Sequence, residues 1–443
     1  MVNVNNFYGT SDNEMIENAM KHREQDGIIL IPPRQSDREP ERNYWLLDRA
    51  ILIPANTTVI LQNCTIKLSD RCRDNFFRSA NCDFGIDNPE RIQNIHIRGE
   101  GTCTLLGADH PRSVGDSTKT MARPCPYVEK DMLQYGYWLS DEKKASGKLD
   151  FWDMHDHSYG TDAGKEGESQ YGDWRNIGIL FANAEHFSIE NISLVDYHAW
   201  GITIEGSAYG TIRNIHFDAC MSKEIDGLRQ NMENQDGIHI HSGSHHIMIS
   251  DITGRTGDDV IALRASIPNN PSAYLLPGSS LCSFNAMTPD WTKRDLSVHD
   301  ITIRNVIAYS QLCFVVRLLA GNSQIWNVVM DGIIDSAPEE APHRQYSAGI
   351  LVGRPDCEYE NHLKGSIHHI SMSNILCNTR KGIDVHGYLQ DSVISNVCNR
   401  HPEGSAIAVW RPDGLENVIT NNLCVTGDNP IFEYENIPGS PAA

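Results

Sequence analysis

The fold of this 443-residue chain is indicated by residues 233–265, which read ENQDGIHIHSGSHHIMISDITGRTGDDVIALRA. Apolar and polar residues alternate in GIHIH and again in DVIALR, and an alternation with a period of two is the pattern of a β-strand. The pattern that begins at Asp236 begins again at Asp258, so the second strand repeats the first after a fixed interval. The stretch therefore predicts two short, equivalent strands of a repeating structure.

Two short phrases recur along the whole chain. The first places Asn or Asp inside an apolar alternation, at Asn94, Asn191, Asn214, Asp251, Asn305, Asn327, Asn374, Asn396 and Asn417. Several of these positions follow one another at a nearly constant interval, which we interpret as one coil. The second phrase, G-I-x-I in form, begins at Gly201, Gly237, Gly349 and Gly382. Short strands at this interval predict an all-β fold, a single-stranded right-handed parallel β-helix with Asn or Asp stacked at its turns.

The alternatives with similar periods fit less well. Leucine-rich repeats need an L-x-x-L-x-L-x-x-N frame and a helix, and a sandwich places its strands about 8–12 residues apart. The cysteines Cys377, Cys398 and Cys424 recur at nearly the same interval as the coils. This recurrence predicts that they are interior residues.

The repeat predicts one domain over residues 1–443, with three departures from the regular coil. Residues 1–45 carry a short helix, capped by Ser11 or Asp12 and ending at Lys21, that would close the first coil. Residues 108–175 carry few strand signals and many aromatic residues, and we interpret them as a long inserted loop over the cleft. Residues 265–296 form a second insertion.

The composition limits the classes of function. The formal charge is −21, which disfavours nucleic acid as a partner because phosphate is bound by basic surfaces. No apolar run approaches the ~20 residues of a membrane span, and the start of the sequence has no signal-peptide pattern. The 12 cysteines show no zinc-binding spacing. We therefore expect no metal, no cofactor and no membrane partner, and a cytoplasmic location unless a signal has been removed.

Three carboxylates lie at equivalent positions of neighbouring coils. Asp236 opens one strand, and Asp258 and Asp259 open the next equivalent strand. Strands of one sheet lie ~4.8 Å apart, so the repeat brings the three acids together. Because close carboxylates repel one another, at least one pKa should rise, and a raised pKa keeps the proton that a general acid needs. We interpret Asp236, Asp258 and Asp259 as catalytic residues.

Strand parity identifies the neighbours of these acids. Ile238 and Ile240 should point inward, so that His239 and His241 point out into an exterior cleft. The same parity predicts outward side chains at Arg264, Arg317, Leu319, Asp384, His386 and Trp410. Together with Asn234, the polar and aromatic members of this set are candidates for substrate binding.

These motifs resemble those of the polygalacturonases, family 28 of the glycoside hydrolases, within the pectate-lyase-like β-helix superfamily. That family carries N-T-D, G-D-D, G-H-G and R-I-K in this order. Asn234-Gln235-Asp236 resembles the first motif, Gly257-Asp258-Asp259 matches the second, and Arg317-Leu318-Leu319 stands in the place of the fourth. No G-H-G follows the Asp pair.

The resemblance implies an inverting glycosidase. Asp258 would be the general acid, and Asp236 with Asp259 would position and deprotonate a water, with ~6.5–9.5 Å between acid and base. The family's Lys helps to hold the galacturonate carboxylate, and Leu319 stands in its place. Together with the negative charge of the chain, this difference argues for a poly- or oligosaccharide other than plain polygalacturonate.

Two other classes of function remain open at this stage. A polysaccharide lyase or a transglycosylase occurs on the same fold, and the lyases often use Ca²⁺ with an Arg or Lys base, a role that Arg317 could take. A non-catalytic carbohydrate-binding β-helix, which could form a homo-oligomer, is the third hypothesis.

Overall fold

A computed structural model describes most of the chain as short parallel strands. It describes residues 1–23, 26–70, 72, 74–82, 86, 89–109, 141–147, 177–225, 228–231, 235–265, 295–321, 323–353 and 363–434. Most of the predicted loop 108–175 and nearly all of the predicted insertion 265–296 lie outside these residues. No helix of the described residues is long and apolar enough to cross a membrane.

The described residues form two compact units, of which the first comprises residues 1–205 and 218–235. The first row of its parallel strands is β1 (Val2–Asn3), β2 (Ile28–Ile31), β5 (Thr57–Gln62), β8 (Ile92–Glu100) and β11 (Ala184–Val195), accompanied by β3 (Trp45–Leu47), β6 (Thr65–Leu68) and β9 (Thr104–Leu106). The second row is β4 (Ile51–Ile53), β7 (Phe77–Ser79), β10 (Ile179–Ala182) and β12 (Ile202–Glu205). β14 (Ser222–Ile225) and β15 (Leu228–Asn231) form an antiparallel hairpin, which is a separate two-stranded sheet.

The N-terminus of this unit has the predicted helix, α1 (Asp12–Lys21), and the Ser11 side chain caps it by accepting a hydrogen bond from the Glu14 N–H. A second short helix, α2 (Asp141–Ser146), lies within the predicted loop.

The second unit comprises residues 206–217, 236–265 and 295–434 and contains the candidate site. One row of its strands is β13 (Ala208–Asp218), β17 (His245–Thr256), β19 (Val298–Ser310), β21 (Ile325–Asp335), β23 (Ile367–Cys377), β25 (Leu389–Asn399) and β27 (Leu415–Val425). The other row is β16 (Ile238–His241), β18 (Ile261–Ala265), β20 (Val316–Ala320), β22 (Ala348–Val352), β24 (Lys381–Val385), β26 (Ser405–Val409) and β28 (Phe432–Tyr434).

Parallel strands stacked in sequence order are the arrangement of a parallel β-helix, and the predicted fold class is confirmed. Aliphatic side chains fill the interior in columns, because each coil places the same position above the last. Ile238, Ile261 and Val316 follow one another in register, and each is fully buried. Such columns remove apolar surface from water without any long-range β-hairpin, and they stabilise each coil against its neighbours.

The recurring Asn and Asp residues lie at two different turns of the coil. All nine have φ between 52° and 60°, a left-handed conformation that Asn and Asp adopt more readily than other residues with a Cβ. Asn327 and Asn417 lie at a first turn, and Asn374 and Asn396 lie at a second turn further along the coil. The Asn396 amide donates to Asn374 Oδ1 at 3.1 Å, which links successive coils.

The strand register shows that some coils are longer than the sequence intervals suggested. Ile303 pairs with Met330, and Ile394 pairs with Thr420, so each of these coils is longer than the interval between the recurring Asn residues suggests. The shorter apparent steps, from Asn305 to Asn327 and from Asn396 to Asn417, join the second turn of one coil to the first turn of the next. The prediction for the cysteines was also partly wrong: Cys377 is buried, but Cys424 is exposed and lies with its Sγ atom 3.2 Å from that of Cys398.

Candidate active site

The stacking of three consecutive strands assembles the candidate site. The Gly237 N–H donates to the Asp259 carbonyl at 2.8 Å, and the Val260 N–H donates to the Phe314 carbonyl at 2.9 Å. Asp236, Asp259 and Phe314 therefore stand at the same position of successive coils, just before β16, β18 and β20. The fixed spacing between neighbouring strands brings their side chains into one cluster.

Gly237 permits this close stacking. A Cβ atom at this position would lie 2.3 Å from the Val260 carbonyl oxygen, a contact that only a shift of the backbone could relieve. The residue after Asp236 must therefore be glycine if β16 is to approach β18 at the ordinary strand separation.

Asp259 is held by donors from the next coil. Its Oδ2 atom lies 3.1 Å from Arg317 Nη1, and its Oδ1 atom accepts from the Phe314 N–H at 3.2 Å. The carboxyl group is fully buried, and burial raises its pKa to about 7, although the Arg317 charge opposes this rise. Asp259 therefore titrates near neutral pH, with its ionised form stabilised by two N–H donors.

Asp236 has fewer partners than Asp259. Its Oδ2 atom lies 2.7 Å from His239 Nε2, while its Oδ1 atom is buried without a hydrogen-bond partner among the described residues. Burial and the charges of Asp258 and Asp259 raise the pKa of Asp236 well above its usual value, and Arg317 only partly offsets them. A buried carboxyl oxygen without a donor is costly, so this arrangement is unusual for a purely structural acid.

Two histidines extend the contact with Asp236 into a chain of three side chains. His239 Nδ1 lies 3.1 Å from His241 Nε2, and both rings are buried, with relative exposures of 5% and 3%. Burial lowers the pKa of His239 well below its usual value, and the neighbouring His241 and two arginines lower it further. A neutral His239 can either donate to Asp236 or accept its proton, depending on the tautomer.

This burial departs from the prediction of an open exterior cleft. His239 and His241 lie on the strand face opposite to Ile238 and Ile240, as parity requires, but all four side chains are buried. Arg264 pairs in register with His241 and is half-buried, and Leu319, next in the same row, is buried. Asn234 lies outside the described residues.

Asp258 is the most accessible acid of the cluster. It is half-buried, and its Oδ1 atom accepts from the Asp259 N–H at 2.8 Å. The Cys313 Sγ atom and one oxygen of each of Asp258 and Asp259 lie within 4.8 Å of one another. Burial and the two acids raise the pKa of the Cys313 thiol, and a protonated thiol is a poor metal ligand. The acid cluster is therefore better suited to proton transfer than to metal binding.

A second cluster contains three of the predicted substrate-binding residues. Asp384 Oδ1 accepts from the Trp410 indole N–H at 2.7 Å, and Asp384 Oδ2 lies 3.1 Å from His386 Nε2. Asp384 follows Arg317 in register after one intervening strand, which places the two backbones about 10 Å apart. Lys381 joins this cluster, with its Nζ atom 3.4 Å from Asp384 Oδ2 and 4.3 Å from the centre of the Trp410 ring.

Sequence reasoning missed Lys381, Phe314 and Cys313. Lys381 opens the KGIDVHG phrase, so its position at the start of a predicted strand was a usable signal. Phe314 contributes a backbone N–H, and Cys313 lies at a turn. The identity of these residues does not reveal either role.

Comparisons with known proteins support the fold. No family model matches the chain, and no curated protein matches it. A hyperthermoactive exopolygalacturonase from Thermotoga maritima has a similar structure, with a TM-score of 0.51 and 15% identity over 95% of this chain and 91% of that chain. The A-module of a mannuronan C-5 epimerase from Azotobacter vinelandii gives a TM-score of 0.50 and 11% identity over 99% of this chain and 96% of that chain.

A surface adhesin of Streptococcus pneumoniae gives a TM-score of 0.48 and 12% identity over 98% of this chain and 93% of that chain. The exopolygalacturonase and the epimerase module share their fold, a parallel β-helix, with this chain. An exopolygalacturonase and a C-5 epimerase both have this fold, so the fold alone does not define an activity.

Proposed function

We propose that this protein is a glycoside hydrolase that cleaves a glycosidic bond of a poly- or oligosaccharide through Asp236, Asp258 and Asp259. The observation that carries the proposal is the buried Oδ1 atom of Asp236, which has no hydrogen-bond partner among the described residues. The pKa values of Asp236 and Asp259 are raised, mainly by burial, so the cluster retains a proton near neutral pH. A retained proton beside ionised carboxylates is what acid–base cleavage of an acetal requires.

The three acids differ in what they can do. Asp258 is the most accessible, and we assign to it the donation of a proton to the leaving oxygen, as the resemblance to family 28 implies. Asp259, held by Arg317 and the Phe314 N–H, serves as the ionised partner. Asp236, in its ionised form, takes a proton from the attacking water, and His239, whose Nε2 atom is in hydrogen-bond contact, can relay that proton. This assignment predicts inversion at the anomeric carbon.

The substrate class follows from the residues around the acids. Leu319 is buried and apolar at the place where the resembling family has a uronate-binding Lys. We therefore propose a neutral, deoxy or otherwise unusual sugar rather than plain polygalacturonate. The Asp384, His386 and Trp410 side chains supply hydrogen-bonding groups and an aromatic ring for a neighbouring sugar unit.

The decisive experiment is incubation with a panel of plant and microbial oligosaccharides, read by new reducing ends and by near-ultraviolet absorbance. Asp258→Asn and Asp236→Asn should each lower turnover by ~10²–10⁴-fold. Asp331→Asn is the matched control, because Asp331 accepts hydrogen bonds from Ser373 and Asn374 at a turn of the other row of strands. An active Asp258→Asn variant would refute the assignment.

The same experiment separates the two other classes. A lyase produces an unsaturated uronide that absorbs in the near ultraviolet, and binding without product indicates a carbohydrate-binding protein. The ion pair between Arg317 and Asp259 stabilises the protonated guanidinium, which counts against Arg317 as the base of a lyase.

A further inference from the structure

A cluster of imidazole rings and a carboxylate lies on the other row of strands in the second unit. His245 and His246 are the first two residues of β17, and His299 and Asp300 follow Val298 at the start of β19, the next strand in this row. One ligand atom from each of His246, His299 and Asp300 lies within 4.8 Å of the other two. None of these residues takes part in the proposed hydrolysis.

The distances suit a single ion between the two strands. Asp300 Oδ2 lies 2.7 Å from His299 Nδ1 and 3.6 Å from His246 Nδ1. Ligands at ~2.0–2.1 Å from a tetrahedral zinc ion are about 3.3 Å apart, so small side-chain rotations produce the required geometry. His245 Nδ1 lies 2.9 Å from His246 Nδ1 and is the nearest further nitrogen.

Ring stacking fixes the orientation of the imidazoles. The His245 and His299 rings are stacked with centroids 4.9 Å apart, and the His299 and Trp326 rings are stacked at 4.3 Å. Stacking covers ring faces, which disfavours a sugar-binding platform, while the nitrogens remain at the ring edges. Aligned imidazoles beside a carboxylate form a donor set preferred by Zn²⁺ and its neighbours in the first transition series.

A hydrogen bond from the next strand holds the Asp300 carboxylate in place. The Asn327 amide donates to Asp300 Oδ1 at 2.9 Å, and a contact of this kind orients a ligating carboxylate. Asp300 Oδ2, which contacts His299 Nδ1, is therefore oriented toward the two histidines.

We propose that His246, His299 and Asp300 bind one divalent transition-metal ion, with Zn²⁺ as the reference ion. His245 or a water would complete the coordination. The ion would join β17 to β19 and so tie the coil that begins at Asp236 to the coil that begins at Asp258. The inference does not depend on the hydrolase proposal, because binding can be measured without any substrate.

The test is titration of the metal-stripped full chain with Zn²⁺ by calorimetry, repeated with Co²⁺ by absorption spectroscopy. We expect one ion per chain and the visible bands of tetrahedral cobalt. His299→Ala and Asp300→Asn should weaken binding by more than ~100-fold, and Asn327→Gly, which keeps the left-handed backbone, by ~10-fold.

The control is His216→Ala, because His216 is an exposed histidine on β13 that contacts Thr253 rather than the cluster. Its affinity for zinc should equal that of the wild-type protein. Unchanged binding in His299→Ala would overturn the proposal. A thiolate-to-cobalt band in the near ultraviolet would overturn it as well, since that band would place the ion at a cysteine rather than at this cluster.

Discussion

The Nε2 atom of His239 lies 2.7 Å from Oδ2 of Asp236, and this is the one side-chain hydrogen bond that the structure gives to Asp236 among the described residues. Both groups are buried, the carboxyl group with a raised pKa and the imidazole with a lowered one. Both shifts favour the state in which the carboxyl group holds the proton and the imidazole is neutral, so Asp236 becomes a base only after that proton has left.

Replacement of His239 should change the pH dependence of the reaction. In His239→Ala the ionised form of Asp236 loses its donor, so the pKa of Asp236 rises further and the acidic limb of kcat/KM moves to higher pH. We expect a loss of ~10–100-fold at pH 6. His239→Gln, whose amide can donate, should restore part of the rate. A pH–rate profile checks this, and an unchanged acidic limb in His239→Ala would contradict the relay.

Replacement of Arg317 should act through Asp259. The Arg317 charge lowers the pKa of Asp259, which burial has raised to about 7. In Arg317→Met that pKa rises further, so Asp259 is protonated at neutral pH and kcat/KM at pH 7 falls by about 10²-fold. Part of the rate should return as the pH increases, and Arg317→Lys should be less affected. A uniform loss at all pH values would indicate a structural role for Arg317.

Asp236→Asn should stabilise the protein, and more so at high pH. The folded-state pKa of Asp236 is raised above its unfolded value, so between these values the folded chain holds the extra proton and stability falls as the pH rises. The amide side chain of the variant cannot ionise, so the stability of the variant does not fall in this way as the pH rises. The free energy of unfolding should therefore be nearly unchanged near pH 4 and higher by ~1–2 kcal/mol at pH 8. Denaturant unfolding at the two pH values measures this, with Asp331→Asn as the control.

Trp410→Phe should affect substrate binding rather than chemistry. It removes the indole N–H that donates to Asp384 Oδ1 at 2.7 Å. If this cluster binds a sugar next to the cleaved bond, KM should rise by ~10-fold while kcat changes little. Steady-state kinetics decide this, with the exposed Tyr8→Phe as the control. A fall in kcat alone would place Trp410 at the reacting bond instead.

The turn residues should be individually important for stability. Asn396 has φ of 54° and is hydrogen-bonded to Asn374 and Asn422 at 3.1 and 2.9 Å. In Asn396→Ala, alanine must adopt the left-handed conformation and both hydrogen bonds are lost. The free energy of unfolding should therefore fall by about 2 kcal/mol. Asn396→Gly should cost less, because glycine tolerates positive φ. Thermal and urea unfolding would show whether the two variants differ in this order.

The local rules of the coil made most of the fold predictable. Alternation in GIHIH identified β16, and the Asp258–Asp259 pair identified the start of the next coil, because stacked coils repeat the same residue pattern. The observed register aligns Asp236 with Asp259 rather than with Asp258. The recurring Asn and Asp residues were harder to interpret. Each coil has two turns that favour Asn or Asp in the left-handed conformation, and the sequence does not show which of the two turns a given residue occupies. A step between unlike turns, as from Asn305 to Asn327, mimics a coil that is too short.

The candidate site was predictable to the extent that it follows from strand parity. Strand parity predicted that His239 and His241 share one face of β16. It could not predict their burial, because burial depends on which residues cover that face. The Lys381 contacts depend on where its long side chain reaches, and the Phe314 contact is made by a backbone N–H. Neither can be read from the residue types of the motif.

The register of the second unit has a consequence for how this protein could change over evolution. Ile238 pairs with Ile261 after a short connection, whereas Ile261 pairs with Val316 after a much longer one, yet the three strands stack at the same level. The chain that joins one rung to the next can thus grow or shrink without moving the acids. Exchange of the connecting segments is therefore a route to new surroundings for an unchanged reaction centre.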